Sequence, residues 1–229
     1  MNTAANSATR PALRAEPLQQ AATPPPIRRR AAKARSIPAH LVRETIDGIA
    51  FYYSGYREVL NKNKNLDGIR GDGGLQFFLK DYLYDLLKAG LDRKKYRIGS
   101  GELGFHADYR NKMGLDVVVF DRTVLTPDKI TTKFVTVPAQ LVVEVDVNVE
   151  LPNRSTDLFE EYVVRKVRSL FAFGTQKVVW VFTKSRMVIS ATPAAPWTFT
   201  DWNQDVELLD GVTMNIAAYV EQEGFNLDV

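Results

Sequence analysis

The sequence predicts an α/β domain built on a mixed β-sheet flanked by helices. Apolar segments with strand-like and helix-like spacing follow one another in the order β-β-α-β-β-α-β-β, which is typical of helices packed on a mixed sheet. The apolar fraction of 45% and the charged fraction of 25% are those of a globular domain. No apolar run approaches the ~20 residues that a membrane-spanning helix needs.

The residue types exclude several kinds of site. The chain has no cysteine, so it can form neither a disulfide framework nor a thiolate metal site. Its two histidines, His40 and His106, are too few for a typical histidine zinc site. No continuous apolar segment near the start has the pattern of a secretory signal. We therefore expect a cytoplasmic protein that does not enter a membrane.

The charge divides the chain into two parts. Residues 1–38 are rich in Ala, Pro and Arg and carry seven basic residues and one acidic residue, a net +6, which leaves −3 for residues 39–229 of a chain with net charge +3. Because residues 1–38 have few large apolar side chains, they are predicted to be a disordered basic arm that contacts phosphates without sequence preference. A solubilising extension and an organellar transit peptide are the alternatives. Residues 39–229 are predicted to form the folded domain.

The first elements of this domain follow from turn and periodicity signals. Two short apolar runs flank Asp47-Gly48, a dipeptide that favours a tight hairpin turn. A polar, glycine-rich loop is expected at residues 61–74. Residues 75–90 carry apolar side chains at 3–4 spacing and end on a glycine, which predicts an amphipathic helix.

The second half repeats strands and a helix. Apolar runs predict strands at residues 115–120 and 140–147. Residues 155–174 begin with Ser, Thr and Asp and stop at a glycine, which predicts a second helix. The runs "KVVWVFT" and "MVISA" then predict two strands joined by a short turn.

Acidic residues interrupt two of the predicted strands. Glu144 and Asp146 lie in "LVVEVDVNVE", where strand alternation places them on the same face, and Asp116 interrupts "LDVVVFD". Burying an ionised carboxylate is costly unless a positive group meets it. If the two strands pair, Asp116 and Glu144 converge, and a divalent cation such as Mg²⁺ or Mn²⁺ relieves their repulsion. The alternative is that these carboxylates face solvent.

A lysine lies in the apolar stripe of the second predicted helix. On a helical projection, Lys166 falls among four apolar residues: Phe159, Val163, Leu170 and Phe173. A lysine on such a face needs an anion, and a helix that follows the acidic strand can bring Lys166 beside Glu144. Glu160 lies at the border of the same stripe. The alternative is that Lys166 extends along its stem to reach water.

Two carboxylates, a hard cation and a lysine are suited to phosphodiester hydrolysis. The cation orients and polarises the phosphate and lowers the pKa of a bound water. The lysine positions that water or stabilises the charge that develops on the phosphate. The acidic strand therefore indicates a metal site and a hydrolytic activity.

The order of these residues resembles the PD-(D/E)XK nuclease superfamily. More narrowly, the chain is similar to a group of restriction-endonuclease-like proteins (Uma-type) in which the catalytic lysine has moved from the strand to the next helix. The matching motifs span about residues 39–200: "RETIDG" for the opening motif, "LQFFLKDYLYDLLKAG" for the first helix, "LDVVVF" and "LVVEVDV" for the acidic strands, and Lys166 with Gly174 on the second helix.

The resemblance implies a restriction-endonuclease-like fold and a Mg²⁺-dependent endonuclease acting on DNA, often as a homodimer. By this resemblance Asp116, Glu144 and the Val145 carbonyl bind Mg²⁺ or Mn²⁺, and Lys166 is catalytic. Glu44 completes the acidic cluster, and the residues at the border of the site are Asp146 and Glu160.

The chain also departs from the pattern of these relatives. Asp146 occupies the usual lysine position, Tyr162 stands where an aspartate is common, and Leu170 replaces a tyrosine. A catalytically silent relative that binds nucleic acid or a protein partner is therefore the alternative. The net charge of −3 for the folded part favours it, because strong duplex binders usually have a basic face.

Overall fold

The computed structural model describes residues 37–152 and 157–227, together with Met1. Nearly all of the predicted basic arm, residues 1–38, lies outside the described residues. So do Ser155 and Thr156, the first residues of the second predicted helix.

The described residues form a nine-stranded mixed sheet, which confirms the predicted fold class. The strands lie in the order β6-β2-β1-β4-β5-β7-β8-β9, and β3 pairs with β4 off this path. The β5–β7 pair is parallel and the other pairs are antiparallel. The nine strands are β1 (Val42–Ile46), β2 (Ile49–Tyr53), β3 (Tyr96–Asp108), β4 (Asn111–Asp121), β5 (Leu141–Val145), β6 (Val149–Glu150), β7 (Lys177–Phe182), β8 (Met187–Thr192) and β9 (Ala195–Asp201).

Helices cover both faces of this sheet. One face packs against Leu79, Leu83 and Leu87 of the helix Gly74–Gly90. The other face packs against Val167 and Leu170 of the helix Arg165–Ala172 and against Val163 just before it. The helices and the remaining hairpin strands are α1 (Tyr56–Leu60), α2 (Gly74–Gly90), α3 (Arg165–Ala172), α4 (Ile216–Glu223), β10 (Val206–Leu209) and β11 (Val212–Met214). Short 3₁₀ turns lie at Ala39–Leu41, Asp67–Ile69 and Pro127–Lys129. The α2 helix, the β10–β11 hairpin and α4 share one face.

Several predicted elements are confirmed. The first two strands form a hairpin whose turn residues Asp47 and Gly48 have φ angles of 53° and 80°, the left-handed conformation that a tight hairpin turn requires. The helix predicted at residues 75–90 is α2, and the two strands after the second helix are β7 and β8.

The sequence patterns do not predict β3, β6, β9, the β10–β11 hairpin, α1 or α4. The β3 strand is rich in glycine and polar residues, so it lacks a clear apolar alternation. It is held along its whole length by pairing with β4. That pairing is a tertiary contact, and a single-sequence pattern does not contain it.

The second helix begins differently from the prediction. A π-helical turn at Phe159–Val164 precedes α3. A π turn advances less than 100° per residue, so the α-helical projection places Phe159 incorrectly. Its side chain is exposed at the surface instead of joining the buried stripe.

One edge of β4 contains a gap in the hydrogen-bond ladder. The other edge of β4 pairs with β3, whereas this edge is shared by β1, which pairs at Lys112, and by β5, which pairs at Val117–Val119. Within the described strands, Gly114 lies between these two pairings, and its N–H and carbonyl bond side chains instead of a neighbouring strand. Buried backbone groups need partners, so side chains must supply them here.

None of the helices in the described part of the chain combines the length and apolar character needed to cross a membrane.

The packing of α2 against β11 generates a stability prediction. A Cβ added at Gly90 would lie 2.6 Å from Cγ2 of Val212, whereas one added at Gly74, also in α2, meets no atom within 4 Å. Overpacking outweighs the better helix propensity of alanine, so Gly90→Ala should lower the free energy of unfolding by about 1–2 kcal/mol. Urea unfolding measures this change, with Gly74→Ala as the matched control. A Gly90→Ala variant as stable as the control would contradict this packing.

Candidate active site

Lys166 lies at the centre of a polar cluster in the β4 gap. Its Nζ is 2.9 Å from Oε1 of Glu44 and 2.9 Å from Oε2 of Glu144, and it donates to the Gly114 carbonyl at 2.8 Å. The side chain is completely buried. Three acceptors match the three donors of an ammonium group. Removing one partner of such a buried pair typically costs about 3–5 kcal/mol, so this arrangement fixes α3 against the sheet.

Glu44 links this lysine to the backbone of β4. Its Oε1 also accepts the N–H of Gly114 at 3.0 Å, and its Oε2 accepts the hydroxyl of Tyr162 at 3.0 Å. Gly114 therefore gives its N–H to Glu44 and its carbonyl to Lys166. These two side chains supply the hydrogen bonds that a neighbouring strand would otherwise provide.

Asp116 is paired with a different lysine. Its Oδ2 accepts the N–H of Val145 at 2.9 Å, and its Oδ1 lies 2.7 Å from Nζ of Lys80. Lys80 also bonds Oδ2 of Asp72 at 2.9 Å. The cluster thus contains three of the predicted acids, Glu44, Asp116 and Glu144. It also contains two lysines, one from the helix on each face of the sheet.

Sequence reasoning missed Lys80, although a signal was present. The buried residues of α2 recur at helical spacing and include two polar ones: Gln76, Leu79, Lys80, Leu83 and Leu87. A polar residue inside an otherwise apolar stripe is the same signal that identified Lys166. Tyr162, on the turn before α3, was also not assigned a role beyond its departure from the family pattern.

The other predicted site residues, Val145, Asp146 and Glu160, have different surroundings. The Val145 carbonyl accepts a hydrogen bond from Nε2 of Gln76 at 2.8 Å. Asp146 follows the end of β5 with a φ of 62°, so the strand alternation used to place it stops at Val145. Its carboxylate accepts the N–H and the hydroxyl of Thr183, at 2.7 and 2.6 Å. Asp146 therefore joins the ends of β5 and β7.

Glu160 lies outside the cluster. It is on the exposed side of the π-helical turn, and its N–H donates to Oδ1 of Asp157 at 3.0 Å. The same π turn that exposes Phe159 explains this position, because the predicted border was drawn on an α-helical projection.

Burial dominates the electrostatics of the cluster. Desolvation, together with the nearby charges of Asp116 and Glu44, raises the pKa of Glu144 from 4.5 to about 8, against the opposing effect of Lys166. Desolvation alone would lower the pKa of Lys166, but the Glu144 and Glu44 carboxylates raise it well above its ordinary value. Burial likewise raises the pKa of Tyr162, which keeps its hydroxyl as a donor to Glu44.

The cluster has one more acid than its lysines neutralise. Three buried carboxylates, from Glu44, Asp116 and Glu144, face the ammonium groups of Lys80 and Lys166. Oε1 of Glu144 is buried without a hydrogen-bond partner in the described structure. A proton on Glu144 or a bound cation would relieve both the extra charge and the unpaired oxygen.

The acids are not arranged as a closed metal site. Among residues 37–152 and 157–227, no group of three or more His, Cys, Asp or Glu side chains lies close enough together to hold a metal ion. Asp116 and Glu144 were predicted to share a metal ion, but the ammonium groups of Lys80 and Lys166 contact these carboxylates. A cation would therefore compete with these lysines.

The fold is similar to that of a solved protein from Anabaena variabilis, described as "a putative nuclease belonging to DUF820". The TM-score is 0.54 over 76% of this chain and 87% of that chain, at 12% sequence identity. At this identity the likeness establishes a shared fold. No family model matches the chain, and no curated protein matches it either.

The raised pKa of Glu144 predicts how stability changes with pH. Between pH 4.5 and about 8 the folded state keeps a proton on Glu144 that the unfolded state has lost. Ionisation of Glu144 therefore increasingly opposes folding as the pH rises through this window. Because glutamine does not ionise, the free energy of unfolding of Glu144→Gln should rise relative to that of the parent across the window.

Urea unfolding of both proteins in EDTA, at several pH values from about 5 to 8.5, measures this difference. Comparing the two proteins cancels the titration of the shared groups that do not interact with Glu144. A difference that stays constant with pH would show that Glu144 ionises in the folded state as easily as in water.

Proposed function

We propose that this protein is a metal-dependent endonuclease that hydrolyses phosphodiester bonds of DNA. The observation that supports this most is the burial of the Lys166 ammonium between two carboxylates, beside Asp116, in a gap of the sheet. Structural lysines are rarely buried this completely. Strongly perturbed acids and bases gathered in one place are typical of functional sites.

The donor atoms suit a hard cation such as Mg²⁺ or Mn²⁺. Asp116, Glu144 and the Val145 carbonyl offer only oxygen ligands, which these ions prefer. The unpaired Oε1 of Glu144 is available to such an ion. A bound cation would polarise the phosphate and lower the pKa of a bound water.

The other residues of the cluster hold the reacting groups in place. All three N–H donors of Lys166 are paired in the described structure, so Lys166 would orient the attacking water or stabilise the charge that develops on the phosphate after a bound cation takes over Glu144. Glu44 keeps Lys166 in position through their ion pair, and Tyr162 in turn holds Glu44. Lys80 neutralises Asp116 while the protein has no substrate. The arm 1–38 would add sequence-independent phosphate contacts, and a homodimer would place two such sites together.

One observation supports the alternative of a catalytically silent binding protein. Both lysines already pair with the acids, as expected of a cluster that serves stability. In that case nucleic acid or a protein partner would bind without being cleaved. Cleavage measurements separate the two functions.

Plasmid nicking in Mg²⁺ tests the proposed activity. Glu144→Gln preserves the shape of the side chain but removes the charge that would hold the cation. Lys166→Met removes the ammonium group. Each should reduce the nicking rate at least about a hundredfold, the cost of losing one charge-stabilising group.

Glu160→Gln is the matched control, because Glu160 is an exposed glutamate beside the same helix. It should nick at the parent rate, and circular dichroism should show that every variant is folded. Equal nicking by the parent, Glu144→Gln and Lys166→Met would assign the activity to a contaminant or to a different site. Binding of DNA without nicking by the folded parent would support the silent alternative.

Lys80 generates a prediction about metal affinity. It is the counter-ion of Asp116, so removing its charge should strengthen binding of a cation by about tenfold or more, given the strength of charge interactions at such distances. Titration calorimetry with Mn²⁺ compares the parent with Lys80→Met. Lys88→Met is the control, since Lys88 is an exposed lysine on the same helix. Equal affinities of all three proteins would show that Asp116 does not bind the cation.

A further inference from the structure

A groove of about 540 Å³ lies beside the cluster, over β1, β3 and β4. Glu44 and Gly114 line this groove, and both also contact the Lys166 ammonium. A volume of this size is within the range of small-ligand sites. The groove is therefore continuous with the candidate active site, and a chain bound at the cluster can extend into it.

An aromatic ring is fixed at one wall of this groove. The Phe134 side chain lines it and remains 52% exposed. Backbone hydrogen bonds hold the next residue against β3: the N–H of Val135 donates to the Gly104 carbonyl at 3.0 Å, and its carbonyl accepts from His106 at 2.9 Å. Phe134 is thus an exposed aromatic residue whose position is determined by its backbone.

Gly104 makes room for this ring. A Cβ at Gly104 would lie 2.6 Å from Cδ1 of Phe134 and 2.7 Å from Cε1. Only glycine therefore allows the ring to approach the strand this closely. Part of the ring is covered by the strand at Gly104, and the rest leaves an aromatic surface open to a ligand in the groove.

Basic side chains lie on the same groove. Arg43 and Lys112 both line it. The Arg43 guanidinium is 5.6 Å from the centre of the Tyr53 ring, and the Arg70 guanidinium is 5.5 Å from the centre of the same ring. Arg43 also pairs with the exposed carboxylate of Glu102 at the groove, so an incoming anion competes with that carboxylate. The charges of Arg43 and Lys112 are suited to the phosphate groups of a bound nucleotide.

From these contacts we infer that the groove binds an unpaired nucleotide, whose base stacks on Phe134 and whose phosphates meet Arg43 and Lys112. Stacking on an aromatic side chain requires a base whose face is free. In a continuous duplex both faces of each base are covered by its neighbours. This inference rests on the proposed function and extends it: the substrate has a single-stranded segment next to the cleaved bond, such as one that opens locally in a negatively supercoiled plasmid.

Fluorescence anisotropy with a short labelled oligodeoxythymidine tests the inference. Ca²⁺ replaces Mg²⁺ so that binding is measured without cleavage. Phe134→Ala should weaken binding by about tenfold, as expected for the loss of one base–aromatic stack, and Phe134→Tyr should retain it. A blunt duplex of the same length should bind the parent more weakly than the single strand does.

Phe199→Ala is the matched control. Phe199 is exposed to 54%, close to the value for Phe134, and lies on β9 at the edge of the sheet. It should bind the oligonucleotide like the parent. Equal affinities of Phe134→Ala and Phe199→Ala would overturn the inference, as would a parent that binds no single strand.

The failure of this inference is distinguishable from failure of the proposed function. A parent that nicks plasmid, with Phe134→Ala binding oligonucleotide as tightly as the parent, rejects the stacking site and leaves the nuclease intact. A parent that cleaves no nucleic acid, but loses oligonucleotide affinity on Phe134→Ala, supports the groove and rejects the nuclease.

Discussion

The buried ammonium of Lys166 is the constraint on which the centre of this structure depends. Its three acceptors come from three strands: Glu44 of β1, Gly114 of β4 and Glu144 of β5. A charge that is completely removed from water cannot lose one of these partners without a large penalty. One side chain therefore determines the relative positions of α3 and three strands.

This constraint explains why a polar cluster can lie inside an apolar sheet. Where β1 and β5 diverge, the free edge of β4 would leave backbone groups unsatisfied, and the side chains of Glu44 and Lys166 satisfy those of Gly114. The acids are reached from both faces of the sheet, by Lys166 from the α3 side and by Lys80 from the α2 side. The gap in the ladder thus becomes a site whose groups are held in fixed positions before any ligand arrives.

The sequence predicted the residues of this site more completely than it predicted the strands and helices around them. The inward position of Lys166 was predictable because α3 is α-helical from Arg165 onward. The α-helical projection misplaced Phe159 and Glu160 because a π turn changes the rotation angle per residue. The residue pattern does not predict that turn. The pairing of Asp116 with Lys80, not with Lys166, depends on how α2 packs against β4 and β5. That is a property of the assembled sheet, as is the existence of β3.

The π-helical turn before α3 has a consequence for changes in chain length. Such a turn holds one more residue than an α-helical turn does, and it lies directly before the anchored helix. Deleting a single residue there would tighten the turn into an ordinary α-helix. The rotation would be taken up by the exposed end of the turn, where Phe159 packs loosely on Phe199. If the deleted residue precedes Tyr162, whose hydroxyl holds Glu44, Lys166 and its partners keep their places, so the length of this segment is free to vary without loss of the charge network.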